Sequence, residues 1–300
     1  MSVGVPQSKI KFYNVKMIIK SYPVYKSYLS WSSIFLKPSP VNLKSFKTGT
    51  VTINRKGTLN PNHPLASNIK DEKLEVPIIA HLVHHEEKGY FLLDTGLDAS
   101  YYLDPHGGLE GSEVDEFNQN SNTNIAYYLS KEEIILNGVF LSHLHPDHAV
   151  GQRELPRNII YVAAKGEYDN YHPDIQGDFL RGLEILYEIN FTETSEIPPL
   201  GPSADLLGDG SLWGILTQGH TSAHMSFLLN SIDGPIFLTM DAAFIRENLE
   251  LGVTSSDYTW DIEMSQETLE KIIDFLRNYP QCKVHVGHEC ELLDLFFLDD

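Results

Sequence analysis

The order of apolar and amphipathic segments in this 300-residue sequence predicts an α/β or α+β protein with mixed β-sheets. Apolar runs of strand length arrive singly and in hairpins, and helical patterns separate them. The composition, with 42% hydrophobic and 21% charged residues, is that of a globular protein and excludes wholesale disorder. No internal repeat and no long linker interrupts residues 1–300, so we expect a single domain.

Local patterns predict the individual elements. Short apolar runs are predicted as strands, the first two joined as a hairpin: Val76–His85, Gly89–Thr95, Gly138–Leu141, Ile159–Ala163, Ser211–Leu216, Met225–Leu229, Ile236–Thr239 and Cys282–Val286. Two segments, Ile125–Leu136 and Ser265–Asn278, are predicted as helices, the second capped by Ser265. Residues 104–124 are predicted as a long loop, and a helical stretch is expected after Ala163.

Charge is distributed unevenly along the chain. The net charge is −19, and so acidic a surface argues against a nucleic-acid partner. Residues 1–70 nevertheless hold eleven Lys or Arg and no acid. The segment is rich in aromatic residues, such as Phe12, Tyr13, Trp31 and Phe35, so we expect it to pack on the acidic body. Alternatively, the segment is an arm that binds membranes or anionic partners. The aromatic residues could also line a substrate pocket.

The cysteine count and the hydropathy pattern bear on the compartment. Cys282 and Cys290 are too few for a disulfide framework and are interpreted as small buried hydrophobic residues. No run of about 18 apolar residues is present, so no membrane span is predicted. The N-terminus has no continuous apolar core and is not interpreted as a secretory signal. We therefore expect a cytoplasmic protein.

A cluster of histidines carries the strongest chemical signal. The segment His143-Leu-His145-Pro-Asp147-His148 directly follows the strand that ends near Ser142. Neutral imidazole and carboxylate suit Zn²⁺ and Fe²⁺, and such a spacing arises by chance in roughly one such chain in a thousand. Because alternate residues of an extended turn point to opposite sides, His143 and His145 can face one metal while Asp147 and His148 face a second.

Four further acids and histidines lie at the ends of predicted strands. They are Asp94, His220, Asp241 and His288. Strand-end loops are where rigid scaffolds present ligands and catalytic groups, so we expect these side chains to converge on one edge of the sheets. Other histidines are interpreted more simply: His84 and His85 as a solvated hairpin tip, His81 and His285 as satisfied residues near the core, and His63 and His106 as candidates for the groove mouth.

The order of these motifs resembles that of the metallo-β-lactamase-fold hydrolases over about Val76–Cys290. An Asp-Thr-Gly segment comes first, the string His-x-His-x-Asp-His follows it, and Gly-His-Thr, Asp and Gly-His come after. The resemblance implies an αβ/βα four-layer sandwich with two mixed sheets and a dinuclear zinc centre, with Fe or Mn as alternatives. It implies a first metal held by His143, His145 and His220, a second held by Asp147, His148 and His288, and a bridging Asp241. It also implies that Asp94 orients a ligand imidazole and that His224 has a supporting role.

Three segments, Gly208–Ser211, Thr217–His224 and Leu238–Asn248, are most similar to the N-acyl-homoserine lactonase group. True β-lactamases lack a bridging acid at Asp241, and glyoxalase-II-type thioesterases add a helical domain for which 12 residues after His288 leave no room. The resemblance implies a quorum-quenching hydrolase that opens a lactone or a related ester of a small molecule by attack of a metal-bridging hydroxide, with Asp147 and Asp241 in the catalytic centre and Asp241 carrying the proton.

One position departs from that group. Phe244 stands three residues after Asp241, where the lactonases carry a tyrosine whose hydroxyl contacts the substrate carbonyl. Either metal polarisation and another donor suffice, or the substrate is a different ester or lactone. Hydrolysis of a thioester, phosphoester or sulfate ester and a non-hydrolytic iron protein on the same scaffold stay open as alternatives. The oligomeric state also stays open, with a homodimer as one candidate.

Overall fold

The computed structural model describes residues 17–26 and 29–291, and their strands form two sheets. The strands are β1 (Ile18–Ser21), β2 (Val41–Asn54), β3 (Lys73–His85), β4 (Gly89–Leu93), β5 (Phe117–Asn118), β6 (Leu136–Phe140), β7 (Ile160–Ala164), β8 (Ile185–Ile189), β9 (Ser195–Ile197), β10 (Gly201–Asp205), β11 (Leu212–Leu216), β12 (Met225–Ser231), β13 (Gly234–Met240) and β14 (Lys283–Val286). The first sheet has the order β1-β8-β7-β6-β4-β3-β2-β5, and the second has the order β14-β13-β12-β11-β10-β9.

Both sheets are mixed, as the sequence predicts. In the first sheet β3 pairs antiparallel with β2 and β4, whereas the pairs β4–β6, β6–β7 and β7–β8 are parallel. In the second sheet the strands pair antiparallel except at β13 and β14, which are parallel. The parallel strands of each sheet end at one edge, and the loops that follow them gather there.

The longer helices cover the outer faces of the sheets. Those in the described part of the chain are α1 (Trp31–Phe35), α2 (Ile125–Lys131), α3 (Pro146–Ala149), α4 (Pro173–Gln176), α5 (Arg246–Leu251) and α6 (Ile262–Asn278). Leu92 faces outward into the core beneath α2, whereas its neighbour Leu93 faces inward to the core between the sheets. A third core joins the second sheet to α6. Because cores separate helices, sheet, sheet and helices, the four-layer sandwich is confirmed.

The helix α6 begins earlier than predicted. Asp261, rather than Ser265, caps it, and the Asp261 carboxylate accepts a hydrogen bond from the Met264 amide at 2.9 Å. Ser265 is instead buried in the first turn, where its hydroxyl lies 2.5 Å from that of Thr254. The apolar stripe of α6 is as predicted, and its buried members include Leu269, Ile272, Ile273 and Leu276.

Other differences also lie at element boundaries. The helix predicted over Ile125–Leu136 ends at Lys131, and Glu133 adopts a left-handed backbone with φ 55° before β6 begins. The loop predicted over residues 104–124 contains the short strand β5. The helical stretch expected after Ala163 is limited to a 3₁₀ turn, Tyr168–Asn170, and the four-residue α4.

The described part of the basic segment contacts the rest of the chain through aromatic and charged residues. Trp31 is buried, with its ring centroid 5.6 Å from those of both Trp213 and Phe275. Arg55 forms ion pairs with Glu72 and Glu247. Trp31 therefore packs in the outer core and does not line a substrate pocket. Phe12 and Tyr13 lie outside the described residues, and packing of the whole 1–70 segment stays a prediction.

Two further sequence expectations are wrong. His85 is buried rather than solvated, because its Nε2 lies 2.8 Å from the Asp209 carboxylate and its Nδ1 accepts hydrogen bonds from the Glu87 and Lys88 amides. Cys290 is exposed, whereas Cys282 is buried as expected. Within the described residues, every helix is too short or too polar to cross a membrane.

Candidate metal centre

Loops at the strand ends bring the histidines and acids together. His143, His145 and His148 follow β6, and Pro146 starts α3 between them. His220 lies between β11 and β12, Asp241 directly follows β13, and His288 follows β14. The first three therefore come from the first sheet, and the other three come from the second. The centre therefore lies where the two sheets of the sandwich meet.

The first group of nitrogen atoms is formed by His143, His145 and His220. The Nε2 atom of His220 lies 3.1 Å from Nε2 of His143 and 3.0 Å from Nδ1 of His145. His143 and His220 are buried, and all three nitrogens point toward one spot. Three imidazole nitrogens in this arrangement can bind one divalent cation.

A second group is formed by Asp147, His148 and His288, and Asp241 lies between the two. Its Oδ1 is 3.2 Å from Nε2 of His148 and 3.4 Å from Nε2 of His288. Its Oδ2 is 3.3 Å from Nε2 of His220 and therefore faces the first group. A carboxylate with one oxygen toward each group has the geometry of a bridging ligand.

The buried polar atoms of the centre fit metal ions. Nε2 of His148 and Oδ1 of Asp241 are buried and have no hydrogen-bond partner. Unpaired buried polar atoms are costly unless an ion or water satisfies them. Nδ1 of His288 is 3.0 Å from the carbonyl of Pro77, to which it can donate, and this leaves Nε2 free to bind a metal.

Charges within the centre set the protonation of its histidines. Burial and the neighbouring imidazoles hold the pKa of His143 well below its ordinary value, so it stays neutral. Burial also opposes a charge on His148, but Asp241, Asp147 and Asp94 outweigh that effect and hold its pKa well above the ordinary value. Burial also opposes a charge on His288, but Asp241 and Asp147 outweigh that effect and raise its pKa. The carboxylates therefore stabilise positive charge at this spot, as a cation site requires.

Asp94 supports the centre from the end of β4. Its backbone is left-handed, with φ 57°, and its side chain is fully buried. One oxygen accepts the Ser142 amide at 2.7 Å, and the other accepts the Ser142 hydroxyl at 2.7 Å and lies 2.6 Å from Nδ1 of His148. The Asp94 carboxylate therefore fixes the orientation of the His148 ring and leaves its Nε2 facing Asp241.

His224 holds the backbone of Asp241. Its Nε2 accepts a hydrogen bond from the Asp241 amide at 3.1 Å, and its Nδ1 lies 2.8 Å from the Thr217 hydroxyl. Burial lowers the pKa of His224 to about 3, so the ring stays neutral and can accept that bond. Both ring nitrogens are engaged in this way, which leaves neither for a metal.

Glu167 is a residue of the centre that the sequence reasoning missed. Its buried carboxylate accepts hydrogen bonds from the amides of Leu144 at 3.2 Å and Ala223 at 3.1 Å, and from the Thr221 hydroxyl. It thus joins the loop of His143 and His145 to the loop of His220. The available signal was its place just after β7, where an acid at a strand end follows the same rule as Asp94.

A cavity of about 760 Å³ opens above the centre. Phe244 lines it, with its ring centroid 5.2 Å from that of His220 and 5.5 Å from that of His288. Val51 and Ile53 of β2 line another part of the wall. The candidates for the groove mouth, His63 and His106, are not among the described residues that line it.

Sequence comparisons agree with this architecture. An N-acyl homoserine lactonase of Bacillus sp is 27% identical over 228 residues, which cover 73% of this chain and 84% of the relative. The N-acyl homoserine lactonase AttM of Rhizobium johnstonii is 28% identical over 191 residues, which cover 59% of this chain and 68% of the relative.

Solved structures share the fold at lower identity. A quorum-quenching N-acyl homoserine lactone lactonase superposes with a TM-score of 0.63 at 19% identity, covering 84% of this chain and 94% of the other. AidC, a dizinc quorum-quenching lactonase, superposes with a TM-score of 0.56 at 15% identity, covering 88% and 97%. A family model described as the metallo-beta-lactamase superfamily matches residues 76–279. The chain therefore belongs to the metallo-beta-lactamase superfamily.

Proposed function

We propose that this protein is a dinuclear zinc hydrolase that opens N-acyl-homoserine lactones or closely related carboxylic esters. The observation that carries the proposal is the pair of ligand groups that share Asp241 at the base of a cavity. The lactonase relatives support the choice of substrate, and the cavity has room for a small molecule. His143, His145 and His220 would hold one ion.

The second ion would be held by Asp147, His148 and His288, with Asp241 shared between the two ions. Two such ions would supply Lewis-acid chemistry, which polarises a carbonyl and lowers the pKa of bound water. Asp94 and His224 keep His148 and Asp241 in place through the contacts at 2.6 and 3.1 Å. Rigid positioning matters here because small displacements of catalytic groups reduce rates strongly.

Asp241 is the group that we assign to proton transfer. Burial favours its neutral form, but His148 and His288 outweigh burial and hold its pKa well below the ordinary value. A carboxylate that is ionised at the start of the reaction can accept a proton and pass it to the leaving oxygen. In a lactone that oxygen is the ring oxygen, which becomes the alcohol of the opened product.

Elemental analysis together with a panel of lactones and esters tests this proposal. We expect two zinc ions per chain, and we expect His145→Ala and Asp241→Asn to lose metal and activity together, by more than the roughly 10–100-fold typical of lost supporting contacts. The matched control is His106→Ala, because that side chain is 42% exposed and does not line the cavity.

Other outcomes would contradict the proposal. A fully metallated and fully active Asp241→Asn enzyme would exclude the assigned role of Asp241. One iron per chain with no hydrolysis of any panel member would instead identify the non-hydrolytic alternative.

A further inference from the structure

Phe244 brings no hydroxyl to the cavity. Among the described residues, the tyrosines that line the cavity are Tyr171 and Tyr258. The Tyr171 hydroxyl is engaged elsewhere, since it donates to the Gly177 carbonyl at 2.8 Å and accepts from the Leu180 amide at 3.3 Å. We propose that Tyr258 supplies the hydrogen bond to the bound ester that Phe244 is unable to supply. This inference rests on the proposed function.

The hydroxyl of Tyr258 is free to serve a ligand. No hydrogen bond joins it to another of the described residues, although the side chain lines the cavity. The residue is 56% exposed, so a substrate that enters the groove can reach it. Burial of part of the ring and the charges of Asp115, Asp257 and Asp147 raise its pKa, so the phenol keeps its proton at neutral pH.

The loop that carries Tyr258 is held firmly on both sides. Before it, the amides of Ser256 and Asp257 donate to the Gly57 carbonyl at 2.9 and 3.0 Å. After it, the Trp260 amide donates to the His220 carbonyl at 2.9 Å. Tyr258 therefore lies two positions before a residue whose backbone bonds directly to a proposed metal ligand, and its position is coupled to that of the centre.

The backbone of Tyr258 is in an unfavourable conformation. Its φ is 55°, in the left-handed region that bulky residues rarely adopt and that is strained for an L-residue. Glycine or asparagine would occupy this place at lower cost. Strained residues of this kind concentrate at ligand-binding sites, where the surrounding structure holds them in place.

Tyr258 lines the same cavity as Asp147. Asp147 belongs to the second ligand group, with His148 and His288. The same cavity therefore presents both the Tyr258 phenol and the second ligand group to an ester that enters it. An oxygen of an ester bound above this group is the expected acceptor.

The test compares Tyr258→Phe with the wild-type holoenzyme on the best lactone of the panel. We expect kcat to fall by about a hundred- to a thousandfold, as for other lost donors to a developing oxyanion, with KM, metal content and melting temperature little changed. The control is Tyr102→Phe, because Tyr102 is similarly exposed, at 55%, and does not line this cavity.

A second arm asks whether positions 258 and 244 perform the same task. Phe244→Tyr should raise kcat by roughly tenfold or more in the Tyr258→Phe background and have little effect in the wild-type background. Equal gains in both backgrounds would overturn the inference, because the two hydroxyls would then act independently.

Two further outcomes would also overturn the inference. An unchanged kcat in Tyr258→Phe would show that the hydroxyl does not contribute to the reaction. Loss of metal or of thermal stability in that variant would show that the residue has a structural role. If the wild-type protein hydrolyses no ester at all, the proposed function fails instead, so the two failures are distinguishable.

Discussion

The Glu167 carboxylate shows how the metal centre depends on a side chain outside the ligand groups. It accepts hydrogen bonds from two loops, at the amides of Leu144 and Ala223. Burial raises its pKa to about 7 even though these donors stabilise the anion. The two loops carry histidines from different sheets, so Glu167 fixes the distance between them.

We therefore expect Glu167→Gln to weaken metal binding and activity by about 10–100-fold. The amide that replaces one oxygen has two N–H groups, and these would face donors in place of an acceptor. Metal affinity measured by competition with a chelator checks this, with the exposed Glu196→Gln as the control. Wild-type affinity in Glu167→Gln would show that the loops hold their positions without this contact.

At the residue scale, much of the centre was predictable and some of it was not. The positions of His143, His145 and Asp241 follow from spacing and from strand ends, which are local properties of the chain. Glu167 could not be distinguished from a surface acid, because its donors lie 23 and 56 residues away. His85 was misassigned for the same reason, since its Asp209 partner lies 124 residues away.

At the element scale, the turn before His220 rests directly on the first turn of α6. Gly219 has φ 131°, and a Cβ at this position would lie 2.3 Å from Cα of Ser265. The Asp261 amide, at the cap of α6, donates to the Gly219 carbonyl at 2.9 Å. The helix thereby sets the position of a proposed metal ligand.

Gly219→Ala should therefore destabilise the protein by roughly 2–4 kcal/mol and reduce metal affinity, since both the backbone conformation and the contact with α6 must change. Gly208→Ala is the matched control, because φ is 76° there and a Cβ would meet open space. Urea unfolding of both variants separates the cost of the backbone conformation from the cost of the contact with α6. Equal losses of stability would show that the contact with Ser265 contributes nothing.

Element boundaries were predicted less well than element types. The strand β2 was missed because a bulge between Lys47 and Gly49 shifts its register against β3, so its buried residues do not alternate regularly along the strand. The helix α2 was predicted too long because Glu133, which ends it with a left-handed backbone, is not a residue that usually does so.

At the scale of the whole molecule, we expect deletion of residues 1–47 to destabilise the protein strongly even at high salt. The deletion removes Trp31 from the outer core and the first half of β2 from the first sheet. Trp31→Ala alone should cost about 3–5 kcal/mol. Thermal and urea unfolding check both, with Tyr25→Ala, at a residue 75% exposed, as the control.

A truncated protein that keeps its melting temperature and activity would contradict this expectation. The basic segment would then be a loose arm, and the alternative that it binds an anionic partner would replace the prediction that it packs on the acidic body.

The acidic character of the chain extends into the cavity. Glu113 and Asp115 line its wall, and the described lining residues include neither Lys nor Arg. We expect negatively charged esters to be poorer substrates than neutral ones of the same size. Asp115→Asn should raise kcat/KM for an anionic ester by about two- to fivefold at low salt and leave the neutral analogue unchanged. An equal change for both esters would rule out a charge effect.

The position of the centre between the two sheets has a thermodynamic consequence. Because His143 belongs to one sheet and Asp241 to the other, bound ions would act as cross-links that only the folded sandwich can satisfy. By mass action, free metal at 100 times its dissociation constant would add about 2.7 kcal/mol to the free energy of unfolding. Removing metal with a chelator should lower the melting temperature of the wild-type protein and leave that of Asp241→Asn nearly unchanged. The persistence of this fold would then depend on the metal supply of its surroundings as well as on its sequence.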